Sequence, residues 1–441
     1  MSMASRRGAK APSPGIRAFS YPRARLVPAA VLVAALLSMA GPAAAEGEQP
    51  WNPFRSSPIT TGATQSYDRS FVKEWEANPP RGFPTLSASN IEPMKTAIKR
   101  YTEIEARGGF RPVPDQQMQV GSSGPAVGLL RERLLASGDL KESSGFLEQF
   151  DYYLEKAVKR FQASNGLTPT GVVEKRTIAA LNVPASARLR QLKTNLARLQ
   201  EFVRGMPKKY VVVNIPSAQI EAVESDRVVS RHAGVVGKID RPTPLLRSAV
   251  HEMNFNPVWT LPPTVIDKDL IPKGQEMQRR NQNVLAKYGI DAYDGNGRKL
   301  DPASINWSSG APRNLQYRQQ PGKDNPLGFL KINFHNNYSV YMHDTPSETL
   351  FGRNFRAASS GCVRVAGIEH LANWMLADTG GWSPERIQKM KETGEKLNVA
   401  LKRPVPLYFV YVTAWVTEDG VVNFRRDLYN RDGVGAVAGA Y

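Results

Sequence analysis

The chain has 441 residues, of which 41% are hydrophobic, and it carries 58 Lys and Arg against 40 Asp and Glu. At roughly 100–200 residues per domain this length provides two to four packed domains, and the composition excludes a disordered, collagenous or coiled-coil protein. One Cys and five His exclude an internal disulfide and a Cys-rich metal site.

The first 45 residues have the pattern of an export signal. Basic residues without an acid precede an apolar run from Leu26 to Met39, and small residues follow up to Ala45. This run is shorter than the roughly 20 residues that span a bilayer, so residues 1–45 are predicted to be a signal peptide cleaved after Ala45. We expect an exported, periplasmic mature chain without an integral membrane segment. Its spread positive charge favours acidic polymers over nucleic acid as partners.

Two segments precede the first recognisable module. Residues 46–65 are rich in Pro, Ser, Thr and Gly and have no period, which predicts a linker. Apolar residues at helical spacing in Tyr67–Trp75 and Ile91–Ile104 predict two short helices. We assign residues 66–120 to a helical scaffold.

Residues 121–184 have the pattern of a small three-helix domain, with Asp151 as a predicted helix cap. The apolar stripes are Val127, Leu130 and Leu134; Leu154, Val158 and Phe161; and Ile178 and Leu181. Together with the run Ala157-Val158-Lys159-x-Phe161-Gln162-x-x-Asn165-Gly166-Leu167, this pattern resembles the peptidoglycan-binding domain that is appended to wall enzymes. The resemblance implies binding of glycan strands.

Residues 185–209 predict a connecting helix that bridges two domains. Ser186 is its predicted N-cap, and apolar residues spaced by three and four positions give it one narrow apolar stripe. The opposite face carries four basic residues, for which we expect exposure to solvent: Arg188, Arg190, Lys193 and Arg198.

From residue 210 the pattern changes to strands rich in Val and Ile. The predicted strands are Tyr210–Ile215, Gln219–Val223, Val228–Val236, Leu330–Phe334 and Tyr338–Met342, with a hairpin turn at residues 335–337. Residues 276–325 interrupt them as an insertion and are a candidate lid. We assign residues 210–432 to this domain and residues 433–441 to a tail.

The chemistry-bearing residues lie in the second half of this domain. Side chains alternate along a strand, so His343 lies on the face opposite Met342. Cys362, the only Cys of the chain, follows Gly361, whose backbone N–H can approach a substrate carbonyl. A thiol attacks as thiolate and needs a base or a positive charge beside it. We therefore predict a dyad of Cys362 and His343, with Arg364 or Arg356 as the supporting charge.

The order of these residues resembles the active-site block of the L,D-transpeptidases, the YkuD-type enzymes that crosslink the cell wall. The resemblance is strongest to their large branch, in which Ser-Ser-Gly-Cys-x-Arg replaces the Ser/Thr-His-Gly-Cys-x-Asn of smaller members. It rests on His343-Asp344-Thr345-Pro346, on Ser359-Ser360-Gly361-Cys362-Val363-Arg364-Val365, and on matches at Val235–Gly237, Arg241–Pro244, Phe255–Trp259, Pro321–Gly328 and Val412–Val416.

The resemblance implies an α+β fold, in which a mostly-β catalytic domain with a helical lid is joined to the three-helix domain and a helical scaffold. It also implies that Cys362 attacks a tetrapeptide stem between its third and fourth residues, releases D-Ala, and transfers the acyl group to the amine of a second stem. Carbapenem-type β-lactams would then be covalent inhibitors.

The resemblance implies further roles around this thiol. Backbone N–H groups at Gly361 and Cys362 would stabilise the oxyanion, with Tyr341 beside them. A backbone carbonyl near Asp344 would orient His343, and Arg364 would hold a stem carboxylate. The remaining candidates for substrate binding are Ser360, Trp259 and Asn256. The other His residues have no metal-binding spacing, so neither a metal nor another cofactor is expected.

Other functions remain open at this stage. A papain-like peptidase would place its Cys ahead of its His and usually carries disulfides. An L,D-carboxypeptidase would use water as the acceptor, and a non-catalytic wall-binding scaffold would keep only the fold. The acceptor, the oligomeric state and the retention of glycan binding are not specified by the sequence.

Overall fold

The computed structural model describes residues 84–141, 146–417 and 420–433, which all belong to one unit, Pro50–Tyr441. The predicted signal peptide, the linker, the predicted helix Tyr67–Trp75 and residues 434–441 lie outside these ranges. In the described ranges no helix is long and apolar enough to cross a membrane.

Strands form three sheets in the second half of the chain. The strands are β1 Lys209–Asn214, β2 Gln219–Glu224, β3 Arg227–Gly237, β4 Leu246–Phe255, β5 Trp259–Thr260, β6 Ile290–Tyr293, β7 Gln316–Gln319, β8 Leu330–Phe334, β9 Met342–His343, β10 Ala357–Ser359, β11 Val363–Val365, β12 Leu397–Val410, β13 Ala414–Val416 and β14 Val422–Phe424.

Nine of these strands form the main sheet, in the order β10-β3-β11-β9-β8-β4-β12-β1-β2. Strand β2 also pairs with the first half of β3, so the sheet closes on itself as a barrel. Neighbouring strands are antiparallel except for β1 with β12, β9 with β11, and β3 with β10. The long strand β3 thus pairs with β2 along its first part and with β10 and β11 along its last part.

Helices surround this barrel and enter it. They are α1 Ile91–Ala106, α2 Pro125–Ser137, α3 Tyr152–Ser164, α4 Lys175–Leu181, α5 Ala185–Phe202, α6 Ile271–Arg279, α7 Val284–Tyr288, α8 Ile368–Leu376 and α9 Pro384–Thr393. The apolar side of α8 packs into the barrel core together with the inward residues of the strands. Helices α1 and α5 cover the outer face of β1 and β12. The α+β fold class is confirmed.

The three predicted helices of residues 121–184 are α2, α3 and α4. All three predicted apolar stripes are buried in one cluster. The carboxylate of Asp151 accepts a hydrogen bond from the backbone N–H of Leu154 at 2.8 Å, as expected of a helix cap. The local pattern therefore predicted this part of the chain well.

The connecting helix differs from its prediction at two points. Pro184, not Ser186, is the N-cap residue of α5. Arg188, expected in solvent, is 1% exposed and donates hydrogen bonds to Gln191 and to Asn165, the residue directly after α3. Arg198 is paired with Asp432. This helix buries part of its basic face because it lies between the three-helix domain and the barrel.

The predicted insertion is a folded subdomain that begins before residue 276. Strand β5 pairs with β7, and β7 pairs with β6, so the subdomain starts at Trp259. Its own apolar cluster extends from Trp259 to Leu327. A two-residue strand has no detectable period, which explains why the sequence pattern missed the boundary.

The predicted strand Tyr338–Met342 is shorter than expected, since only Met342 and His343 pair as β9. Residues before it form an extended turn around Asn336, whose side chain bonds the backbone of Tyr338 and Val340. Ser339 has a φ of 55°, which ends any strand there.

Candidate active site

Cys362 lies in a tight connection between β10 and β11. The Ser359 hydroxyl binds both sides of this connection: it accepts from the N–H of Gly361 at 3.1 Å and donates to the carbonyl of Cys362 at 2.5 Å. Thr243 donates to the carbonyl of Gly361 at 2.8 Å. Gly361 has a φ of 116°, which side chains rarely tolerate, so this turn requires glycine.

The thiol of Cys362 is buried, with 5% of the residue exposed. Burial raises its pKa to about 11, while hydrogen bonds from the backbone and hydroxyl of Tyr341 and the charges of Lys331 and Arg364 lower it. The thiol is therefore protonated in the free protein at neutral pH. The thiolate form, in which the sequence predicts that Cys362 attacks, is thus not the resting state, because burial outweighs the neighbouring positive charges.

His343 lies on the strand next to Cys362. In the parallel register of β9 and β11, His343 is opposite Arg364, and Val363 N–H donates to the carbonyl of Tyr341. His343 is fully buried, and its Nδ1 lies 2.5 Å from the carbonyl oxygen of Asp344. Because a carbonyl only accepts, Nδ1 carries the proton in the neutral ring and Nε2 carries the lone pair.

The imidazole is neutral in this environment. Burial lowers the pKa of His343 to about 3, helped by the charges of Arg364 and Lys331 and opposed by the carbonyls of Asp344 and Pro326. Cys362 and His343 both contact Tyr341, the first at its hydroxyl and the second at its ring. A neutral imidazole within reach of a neutral thiol can take the thiol proton when the sulfur attacks, which is general-base catalysis.

Tyr341 links this pair to the insertion. Its hydroxyl accepts a hydrogen bond from Nε1 of Trp259 at 3.1 Å, and the same hydroxyl bonds Cys362. Its ring also packs edge-on against His343, with centroids 5.7 Å apart. Because the hydroxyl oxygen accepts from Trp259, its proton is available to the sulfur. Trp259 is 1% exposed and thus contributes both to the core and to the orientation of Tyr341.

Lys331 is a residue of this site that the sequence interpretation missed. It lies opposite His343 in the antiparallel register of β8 and β9, and its Nζ lies 4.5 Å from the centre of the Tyr341 ring. Burial lowers its pKa, against the charges of Cys362 and Glu252. Because Leu330 and Ile332 are buried on one face of β8, the alternation along the strand could have placed Lys331 on the other face. The register that puts Lys331 opposite His343 cannot be read from the sequence.

Arg364 is completely buried, and burial lowers its pKa to about 9. The negative form of Cys362 opposes this shift, so a thiolate and this guanidinium stabilise each other. The role of Arg364 as a binder of a stem carboxylate stays a prediction.

Asp344 has two functions in the local structure. Its carbonyl holds His343, and its carboxylate accepts a hydrogen bond from the backbone N–H of Phe329 at 3.0 Å. The carboxylate occupies the space where a side chain on Gly328 would lie. Gly328 therefore permits Asp344, and with it His343, to pack against the start of β8.

The remaining predicted residues have structural partners. Ser360 accepts a hydrogen bond from Arg241 at 2.7 Å, and Arg241 pairs with Asp269 of the insertion at 2.8 Å. The amide of Asn256 donates to the carbonyls of Met390 and Glu395. The structure brings Cys362, His343, Tyr341, Trp259 and Arg364 together, whereas substrate binding by Ser360 and Asn256 stays a prediction.

Comparisons with known proteins agree with this geometry. The YkuD family model, described as an L,D-transpeptidase catalytic domain, matches residues 208–397, and a model described as "Putative peptidoglycan binding domain" matches residues 123–181. A curated protein of Haemophilus influenzae, named "Putative L,D-transpeptidase", is 32% identical over 223 residues, which are 50% of this chain and 44% of that protein. The chain thus spans less than half the length of this relative.

Solved L,D-transpeptidase structures are more distant. One from Xylanimonas cellulosilytica is 17% identical with a TM-score of 0.22 and is matched over 68% of this chain and 100% of that chain. One from Stackebrandtia nassauensis is 13% identical with a TM-score of 0.26, over 68% and 97% of the two chains. TM-scores this low carry no argument. Residues 208–397 are thus similar to the YkuD-type L,D-transpeptidase catalytic domain, and residues 123–181, which precede them, are similar to a peptidoglycan-binding domain.

Proposed function

We propose that this protein is a peptidoglycan L,D-transpeptidase that uses Cys362 as its nucleophile. The observation that carries the proposal is that Tyr341 contacts both Cys362, which directly precedes β11, and His343 of the neighbouring strand β9, with all three side chains buried or half-buried. The family of the domain supports acyl transfer as the reaction, and the peptidoglycan-binding domain supports a wall polymer as the substrate.

In the first half-reaction the sulfur of Cys362 attacks the carbonyl between the third residue, at the L-centre of meso-diaminopimelate, and the fourth residue, D-Ala, of a tetrapeptide stem. The thiol proton passes to Nε2 of His343, and a C–S bond forms. The C–N bond then breaks, and the imidazolium returns the proton to the amine of the departing D-Ala. Because both groups are neutral at rest, the proton moves with the attack rather than before it.

The oxyanion of this step needs donors that are in place beforehand. The N–H of Gly361 already donates to Ser359, which argues against the oxyanion role predicted for it. We assign this role to the N–H of Cys362 and the hydroxyl of Tyr341, which Trp259 orients and whose proton leaves the sulfur for the oxyanion when the C–S bond forms. Lys331 and Arg364 place positive charge beside the thioester site.

In the second half-reaction the side-chain amine of a second stem attacks the thioester. His343 removes a proton from this amine and returns it to the sulfur when the C–S bond breaks. The product is a crosslink between two third residues, and the thiol is regenerated. These events belong outside the cytoplasm, at the cell wall in the periplasm, as the predicted signal peptide implies.

Purified protein incubated with disaccharide-tetrapeptides tests this proposal, with products identified by mass spectrometry. We expect a dimer that has lost one D-Ala. The variants Cys362→Ser and His343→Gln should retain the thermal unfolding profile and reduce dimer formation by at least 100-fold. A tripeptide product without dimer would indicate an L,D-carboxypeptidase. A folded wild-type protein without any product would indicate a wall-binding scaffold.

Trapping by a carbapenem provides an independent test of the nucleophile. A strained β-lactam amide should acylate Cys362, and intact-mass spectrometry should show one adduct that is absent from the Cys362→Ser variant. An adduct on any other residue would contradict the assignment.

A further inference from the structure

A cavity of about 270 Å³ lies away from Cys362, where three parts of the chain meet. Its walls come from α1, from the three-helix domain with the start of α5, and from the turn and strand that end at Phe424. A site for one water needs about 10–15 Å³, so this space holds a group much larger than a single water. The cavity thus has the size of a small-ligand site.

The walls of this cavity are strongly basic. Five basic side chains line it, against the single carboxylate of Asp139: Arg100, Arg133, Lys141, Arg160 and Arg188. Burial raises the pKa of Asp139, which weakens its contribution as a negative charge. A cluster of cations in a partly enclosed space repels itself unless an anion joins it.

Arg133 is a buried member of this basic cluster. The residue is 3% exposed, and its Nε donates to the carbonyl of Leu181 at 2.8 Å. Its Nη1 is buried and has no hydrogen-bond partner among the described residues. Its Cζ lies 3.5 Å from the centre of the Phe110 ring, and burial lowers its pKa to about 10. A buried guanidinium with an unused donor is costly, and because Nη1 is closed to solvent, an oxyanion in the cavity would satisfy it only after this side chain turns toward the cavity.

Two further guanidinium groups line the same cavity, and each donates one hydrogen bond to the described part of the chain. Arg100 donates to the carbonyl of Ala136 at 3.0 Å, and Arg160 donates to that of Asp139 at 3.2 Å. A guanidinium has five N–H donors, and its planar fork fits the two oxygens of a carboxylate or phosphate. Both residues are more exposed than Arg133, so they lie where a ligand would enter.

We propose that this cavity binds an oxyanion group, a carboxylate or a phosphate, of a ligand distinct from the one at Cys362. Arg133 binds it from the interior, and Arg100 and Arg160 bind it at the opening. The site joins the three-helix domain to α1 and α5, so an occupied site also holds these parts together.

Calorimetric titration of the full-length protein tests the proposal with two probes, inorganic phosphate and the stem tripeptide L-Ala-γ-D-Glu-diaminopimelate. We expect saturable binding of at least one probe with one site per chain. The double variant Arg100→Gln with Arg160→Gln should weaken it at least tenfold, and Arg133→Gln should abolish it. The control Arg111→Gln, an exposed cation of the same region paired with Glu132, should leave it unchanged.

The two probes separate the sources of the anion. Phosphate binding alone indicates a phosphate ligand, and tripeptide binding alone indicates a peptide carboxylate. The tripeptide also fits the catalytic site. Only the part of the tripeptide binding that disappears in the double variant is therefore assigned to the cavity. Arg133→Gln replaces a buried side chain and can prevent folding. If that variant does not fold, the binding measured with the double variant alone tests the proposal. Absence of binding by both probes, or binding that the double variant retains, would overturn the proposal irrespective of turnover at Cys362.

Discussion

At the scale of single residues, the site combines a thiol and an imidazole that are both held neutral by burial. A resting thiolate would be exposed to oxidation in an exported enzyme, whereas a protonated, buried thiol reacts slowly with oxidants. The positive charges of Lys331 and Arg364 then matter when negative charge develops on the sulfur or the substrate. Burial thus keeps the thiol protonated at rest, and the charges of Lys331 and Arg364 stabilise negative charge on its sulfur.

The pH dependence of alkylation measures this state directly. The thiol pKa is raised to about 11, so the thiolate fraction rises with pH through the whole range below 11. We expect the rate of iodoacetamide modification of Cys362 to rise about tenfold per pH unit between pH 7 and pH 10. N-acetylcysteine, measured beside it, should level off above its ordinary pKa. A plateau for Cys362 below pH 8 would show a stabilised thiolate instead.

Substitution of Lys331 tests the neighbouring charge. Lys331→Met removes an ammonium group that lowers the pKa of Cys362, so the alkylation profile should shift to higher pH. Carbapenem acylation at pH 7 should slow by about 3–10-fold, which corresponds to about 0.7–1.4 kcal/mol in the barrier. The control Lys402→Met removes an exposed lysine of β12 and should alter neither quantity. An unshifted profile with slower acylation would assign Lys331 to substrate binding.

At the scale of elements, the position of His343 depends on how β9 packs beside the start of β8. Gly328 immediately precedes this region, and its missing side chain leaves room for the Asp344 carboxylate, whose backbone carbonyl holds the imidazole. The orientation of a catalytic side chain thus depends on a glycine fifteen residues earlier in the chain.

Substituting Gly328 and Gly289 in parallel separates the cost of backbone strain from the cost of a side chain that overlaps Asp344. Gly328 and Gly289 both have a φ of 60°, but only at Gly328 would a side chain overlap Asp344. Gly289→Ala should lower the free energy of unfolding by about 1–2 kcal/mol through strain alone. Gly328→Ala should lower it by about 1–3 kcal/mol more and slow acylation of Cys362. Chemical denaturation and adduct formation measure the two effects; equal losses in both variants would contradict the packing argument.

The elements also show what the sequence could predict. Helices α1 to α5 followed from apolar spacing, because each buries an apolar stripe. The pair of Cys362 and His343 followed from residue types and order. Lys331 and the buried side of Arg188 did not, because their environment is set by strand register and by the packing of α5 between two bodies. The start of the insertion at Trp259 was invisible because β5 has only two residues.

At the scale of the whole molecule, the three-helix domain contacts the segment that connects the two catalytic strands. Thr168, which follows α3, donates from its N–H and its hydroxyl to the side-chain oxygen of Asn354, at 2.8 and 2.6 Å. Asn354 lies between His343 and Cys362 in the chain. The three-helix domain therefore supports the connection between His343 and Cys362.

A double-mutant cycle measures this contact. Asn354→Ala should lower the free energy of unfolding by about 1–3 kcal/mol, since it removes an acceptor of two hydrogen bonds. Thr168→Val should cost about 1 kcal/mol, and the double variant should cost less than the sum of the two. Hydrogen exchange should increase at residues 345–356 in Asn354→Ala while the helices of the three-helix domain keep their protection. Additive effects would show that the two residues are not coupled.

The closed barrel also dictates an order of assembly. Strand β1 pairs with β2 on one side, but its other partner, β12, comes about 200 residues later in the chain. That edge of β1 therefore stays open until about 200 further residues have become available for pairing. Pairing between such distant segments is slow, and an open strand edge is a site for aggregation. The first strand of the barrel in the chain, β1, is thus paired on both sides only when β12, one of the last strands, is present. Until then the open edge of β1 must be kept from pairing with strands of other molecules.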